Sequence, residues 1–94
     1  MAEHTVHVDA FGGLHPSDEE LAELYDLLAG RPELIGPSVS ANAERGSVGL
    51  TVTVEAATRE LAQVSAGKAL GEAVVALGLV DAWTRAGGRQ AVVV

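Results

Sequence analysis

The chain has no cysteine, so neither a disulfide framework nor a thiolate metal site is open to it. Aromatic residues are nearly as scarce: Phe11, Tyr25 and Trp83 are the only three. The core must therefore be built from Val, Leu and Ala, and a row of rings for stacking nucleic-acid bases is ruled out. Lys and Arg are missing from the first thirty positions, which hold Glu3, Asp9, Asp18, Glu19, Glu20, Glu23 and Asp26. The other six acidic residues are balanced by six basic ones, so the whole formal charge of −7 arises in that first third. A chain charged in this way repels phosphate backbones, and direct nucleic-acid binding is not expected. Long apolar runs are also lacking. Residues 73–80, the longest, are too few to span a bilayer, and the opening residues show no basic start followed by an apolar stretch. The expectation is a single domain over residues 1–94, cytoplasmic, with no membrane contact and no cofactor.

What is present is alternation. Between Val48 and Glu55 the order Val-Gly-Leu-Thr-Val-Thr-Val-Glu sets Val48, Leu50, Val52 and Val54 on one strand face. Gly49, Thr51, Thr53 and Glu55 fall on the other. Residues 3–11 alternate similarly, with Val6, Val8 and Ala10 opposite Thr5, His7, Asp9 and Phe11. Gly12-Gly13 and His15-Pro16 then break the strand.

Ser17 and Glu20 have the spacing of a capping box, and Asp18 and Glu19 suit the positive end of a helix dipole. Leu21, Leu24, Tyr25 and Leu28 follow at helical spacing, with Gly30 as the stop. Residues 34–44 read as an edge strand beginning at or after Pro37, with Ile35, Val39, Ala41 and Ala43 of one parity and Ser38, Ser40 and Asn42 of the other. Residues 44–47 form a hairpin turn. A second helix is expected from about Thr58 to Leu77, with Ser65, Lys68 and Glu72 outward and Leu70, Val74 and Leu77 inward. Gly67, Gly71 and Gly78 fall on one flank, where tight packing within the monomer and a subunit interface are both open. Residues 79–86 read as a final strand, Gly87-Gly88 as a turn, and residues 90–94 as a short appended strand.

Strand, helix, strand, strand, helix, strand is the ferredoxin-like split βαβ order, an α+β sandwich with both helices on one face of an antiparallel sheet. The other face then carries His7, Asp9, Thr51, Thr53 and Glu55, the candidate ligand-binding residues. That face suits solvent, a second copy in a homodimer, or a small polar ligand. His7 and Asp9 are spaced for a carboxylate to orient an imidazole, but no nucleophile motif accompanies them. His4 has the opposite parity, and His7, Asp9 and His15 match no zinc spacing, so no metal site is expected. Gly12-Gly13 before Ser17 is not a phosphate loop: the lysine is absent and Asp18, Glu19 and Glu20 oppose an anion.

With Gly-Leu-Thr-Val-Thr-Val-Glu-Ala at 49–56 and a following helix bearing Leu61 and Gln63, the chain resembles small uncharacterised ferredoxin-like proteins of high-GC bacteria and their viruses. The preference for arginine, five to one over lysine, agrees with such a source. The resemblance implies a fold and no activity. Acylphosphatases share the layout, but their Gly-rich loop with a catalytic arginine is missing here, as is the cysteine pair of metal-carrying relatives. An ACT-type regulatory domain is compatible. The expected function is a non-enzymatic, dimeric, acidic adaptor meeting a basic protein partner through Asp18, Glu19, Glu20, Glu23 and Asp26. The alternative is a ligand-sensing regulatory domain using the open sheet face.

Overall fold

The computed structural model describes residues 1–11 and 14–78 in full and residues 89–93 as backbone. In chain order the elements are β1 (Ala2–Phe11), α1 (Asp18–Ala29), β2 (Leu34–Asn42), β3 (Ser47–Ala56), α2 (Arg59–Ala76) and β4 (Arg89–Val93). The strands form an antiparallel sheet in the order β2-β3-β1-β4, which is the ferredoxin-like arrangement. β1 and β3 are central and pair along their whole length, from Ala2 opposite Ala56 to Phe11 opposite Ser47.

The alternation in β1 and β3 is what builds the core. Val6, Val8 and Ala10 face inward beside Val48, Leu50, Val52 and Val54 and meet Leu24 and Leu28 of α1. From α2 come Ala62, Ala66, Ala69, Leu70, Ala73 and Val74, a mostly methyl-sized face that brings the helix close to the sheet. No helix among the described residues is long and apolar enough to cross a membrane.

Helix ends follow their local chemistry. The backbone N–H of Glu20 donates to Ser17 Oγ at 3.1 Å, and that of Ser17 donates to Glu20 Oε1 at 2.9 Å, closing the capping box. Thr58 caps α2 by accepting from the N–H of Leu61 at 3.2 Å. Arg31, just past α1, reaches Glu72 of α2 at 2.9 Å and Glu33 at 3.2 Å. The bond to Glu72 holds the guanidinium above its ordinary value, while its own backbone N–H, and then Arg31, hold the Glu33 carboxyl below its usual range.

Three expectations need correcting. β2 starts at Leu34, ahead of Pro37, because an extra residue between Ile35 and Ser38 makes a bulge there. Gly36 takes φ +59 in that bulge, and Pro37 is spared a ladder hydrogen bond. The bulge also reverses parity: Leu34 is buried opposite Val54, while Ile35 is exposed opposite Thr53 and so leaves the face of Val39. Gly78 is not part of a packing stripe. It lies beyond the helix with φ +75, and its N–H donates to the carbonyl of Val75, so its role is to stop α2. Gly67 is buried within the chain and Gly71 half-buried, so tight internal packing accounts for Gly67.

The third concerns the C-terminus. The segment read as an appended strand is β4, which pairs with β1 from His7 opposite Val93 to Phe11 opposite Arg89 and occupies the fourth position of the sheet. The strand expected over 79–86, with Trp83, and the turn at Gly87-Gly88 lie outside the described residues.

Candidate functional site on the open sheet face

The register fixes which side chains meet on the face away from the helices. Thr5 stands opposite Thr53, His7 opposite Thr51, Asp9 opposite Gly49, and Phe11 opposite Ser47. Across β3, Ser38, Ser40 and Asn42 of β2 stand opposite Thr51, Gly49 and Ser47. Three strands thus contribute polar side chains to one surface. The hydroxyls of Thr5 and Thr53 share a hydrogen bond of 2.8 Å.

At the centre lies an imidazole held on both sides. His7 Nε2 is 3.0 Å from Asp9 Oδ1, and His7 Nδ1 is 2.8 Å from Thr51 Oγ1. A carboxylate only accepts, so Nε2–H donates to Asp9; in the neutral ring Nδ1 then accepts from the Thr51 hydroxyl. The ring crosses the strand boundary over residue 49, and only glycine leaves room for it. A Cβ at Gly49 would sit 2.7 Å from Asp9 Oδ1 and 2.9 Å from His7 Cε1. Glycine inside a strand is unfavourable for pairing, and a close approach of this kind is the usual reason for one.

Beside this chain of bonds is a concavity of about 310 Å³ lined by His7, Asp9, Ser40, Asn42, Arg45 and Ser47. Arg45 arrives from the β2–β3 hairpin. Gly46 closes that turn with φ +60, and Asn42 Oδ1 accepts from the Arg45 backbone N–H at 3.2 Å. The Arg45 guanidinium carbon lies 4.9 Å from the centroid of the Phe11 ring, a cation–π contact that sets a positive charge at the rim. Leu14 donates its N–H to the carbonyl of Gly46 at 2.8 Å, tying the β1–α1 connection to the same hairpin.

Of the residues expected on this face, the structure brings His7, Asp9 and Thr51 into one hydrogen-bonded chain. Thr53 is one pair removed and bonded to Thr5. Glu55 stands apart, opposite Glu3 at the far end of the sheet, both exposed. Like charges directly opposed weaken a ladder. Glu55→Lys is accordingly expected to stabilise the fold by about 0.5 kcal/mol in denaturant titrations. An unchanged midpoint would count against the Glu3–Glu55 register. Sequence reasoning passed over Arg45, Ser47 and Gly49. A lone glycine inside a β-branched run was the signal for the last of these, whereas Arg45 needed the hairpin register.

The acidic residues of α1 divide by direction. Glu20 is committed to the capping box. Asp18 and Asp26 line a groove against β2, while Glu23 and Asp26 border the C-terminal end of α2 with Leu27 and Leu77. Glu19 is exposed on the first turn. Among the described residues no group of three His, Asp or Glu side chains is placed to hold a metal ion.

No protein-family model matches the chain, and neither a curated protein nor a solved structure does.

Proposed function

We propose that this chain is a small-ligand-binding regulatory domain, and that its ligand lies on the open sheet face in the concavity beside His7 and Asp9. The observation that carries this reading is the imidazole fixed over Gly49. An interior strand position has given up its side chain, and a half-exposed histidine is held in one orientation by bonds to both nitrogens. A face that merely stayed wet gains only about 1 kcal/mol from such a bond, whereas a binding surface also gains preorganised polar groups. Ser40, Asn42 and Ser47 add hydroxyl and amide groups, and Arg45 adds a charge at one end. A small molecule carrying both hydrogen-bond donors and acceptors, with an acidic group toward Arg45, fits that set.

The same geometry argues against catalysis. His7 stands between a carboxylate and a hydroxyl, an order in which an imidazole can activate a nucleophile, so the surroundings of Thr51 decide. Thr51 lies in the middle of a paired strand, where backbone N–H groups serve the ladder rather than a developing oxyanion.

The test is native mass spectrometry on protein gently purified from its own source. A reproducible small-molecule adduct is expected, lost in Arg45→Ala and weakened in Thr51→Val, with both variants still folded. Thr51→Val keeps the shape of the side chain and removes one hydrogen bond, which costs about 1 kcal/mol. Bare protein masses throughout, or an adduct indifferent to both substitutions, would remove the support for the reading.

A further inference from the structure

A second surface lies on the helix side of β2, the strand whose Ser40 and Asn42 line the concavity on the open face. α1 presents Asp18, Leu21, Tyr25 and Asp26 along one stripe, and this stripe faces Pro37 and Val39 of β2 across a groove of about 440 Å³. Leu21 and Val39 are only partly buried against the core, and Tyr25 is 44% exposed, so the floor is apolar and uncovered. β2 is the edge of the sheet and pairs only with β3 among the described residues. Its outer row of backbone donors and acceptors therefore lies open beside that floor.

Charge selects the occupant. Asp18 and Asp26 stand at the rim, and residues 1–30 contain no Lys or Arg. The nearby described cations are occupied elsewhere, Arg31 with Glu72 and Glu33, Arg45 over Phe11. A second copy adding its own β2 to this edge would set two acidic α1 helices side by side, which like-charge repulsion disfavours. The bulge at Gly36-Pro37 limits pairing to the stretch beyond it, because Pro37 has no N–H and the ladder is broken there.

We propose that the groove between α1 and the free edge of β2 captures an extended, lysine- or arginine-bearing segment of another protein. The segment adds as a strand along residues 38–42, and every second side chain, the set on the α1 side, runs basic, apolar, basic to meet Asp18, then Leu21, Tyr25 and Val39, then Asp26. Main-chain bonding supplies affinity in this mode and the alternate side chains supply selectivity.

The experiment uses the full chain and a fluorescent peptide repeating Lys-Thr-Val-Thr, whose one strand face runs lysine, valine, lysine, with a matched peptide in which glutamate replaces lysine. The lysine peptide is expected to bind, the glutamate peptide not, with backbone amide signals of residues 38–42 shifting in NMR spectra. Asp18→Asn with Asp26→Asn should weaken binding about tenfold. Glu3→Gln with Glu55→Gln changes the net charge equally on the other face and should weaken it less than about twofold. N-methylation of alternate peptide nitrogens should abolish binding in one of its two frames. Four results would each overturn the proposal. They are no binding up to roughly 1 mM, equal losses in the two double variants, insensitivity to N-methylation in both frames, and concentration-dependent shifts at 38–42 without peptide. The last would assign the edge to a second copy.

Discussion

Leu70→Ala is expected to lower the melting temperature by roughly 15–25 °C, the largest effect of any single truncation on α2. The reason lies in what surrounds Leu70. The buried face of α2 consists of Ala62, Gln63, Ala66, Gly67, Ala69, Leu70, Ala73 and Val74, so one leucine and one valine supply nearly all of its apolar bulk. Leu70 is wholly buried. Cutting a buried leucine to alanine costs about 2–5 kcal/mol, more where neighbours cannot move in to fill the space. Alanine neighbours have no side-chain freedom with which to do so, which places the loss at about 3–4 kcal/mol. A chain of this length has roughly 5–14 kcal/mol of stability in total, so the variant should be folded but much weakened. Val64→Ala, on the outer face of the same helix at 64% exposure, is the control and should shift stability by less than about 0.5 kcal/mol. Denaturant titrations of both variants measure the contrast. A Leu70→Ala loss below about 1 kcal/mol would mean that α2 does not dock through this side chain.

The architecture is legible in the sequence through local signals. Val48 to Glu55 alternates because a sheet covered on one side only must do so, and Ser17 with Glu20 marks a helix start by a bond between neighbours three residues apart. Both signals are local. The features that escaped are not local. The bulge at Gly36-Pro37 moves Ile35 to the opposite face from Val39, yet in the sequence the two share parity. Nothing short of the pairing with Thr53 and Leu50 reveals the change. The closing strand shows the same dependence. Residues near the C-terminus read as an appendage because the interval before them looked strand-like, and only pairing with His7 to Phe11 puts Arg89–Val93 in the sheet.

The site divides along the same line. Parity within β1 and β3 was enough to put His7, Asp9 and Thr51 on one surface. It could not show that His7 bridges the other two, because that depends on His7 falling opposite Thr51 rather than Thr53. It also left Glu55 in the group, although register carries Glu55 two pairs away to face Glu3. Arg45 joins the site through a turn whose Gly46 takes a left-handed conformation, which sets the guanidinium over Phe11 on a strand distant in sequence.

Gly49→Ala is expected to release His7 while leaving the fold intact. The new methyl would meet Asp9 Oδ1 at 2.7 Å and His7 Cε1 at 2.9 Å, so one or both must move. Both atoms belong to side-chain ends on an open face, so they swing away and the strand itself holds. The energetic terms nearly cancel. Losing the His7–Asp9 bond costs about 1 kcal/mol, and alanine restricts the unfolded chain in a way that returns about 0.4–1 kcal/mol. Gly49 is not among the glycines with positive φ, so alanine meets no backbone strain there. Net stability should thus change by less than about 1 kcal/mol. The site should change much more, because the imidazole loses its fixed place at the rim of the concavity. Nitrogen NMR of His7 reads this directly. Recorded at a pH where the ring is neutral, the parent chain should show one protonated and one unprotonated ring nitrogen in a single tautomer, whereas Gly49→Ala should show averaged signals. Repeating the substitution in a His7→Ala, Asp9→Ala background removes both side chains that obstruct the methyl and should turn Gly49→Ala stabilising by about 0.5 kcal/mol. If the substitution instead costs the same in both backgrounds, residue 49 is glycine for a reason unconnected with His7. In that event the preorganised histidine loses its standing as the centre of a binding surface.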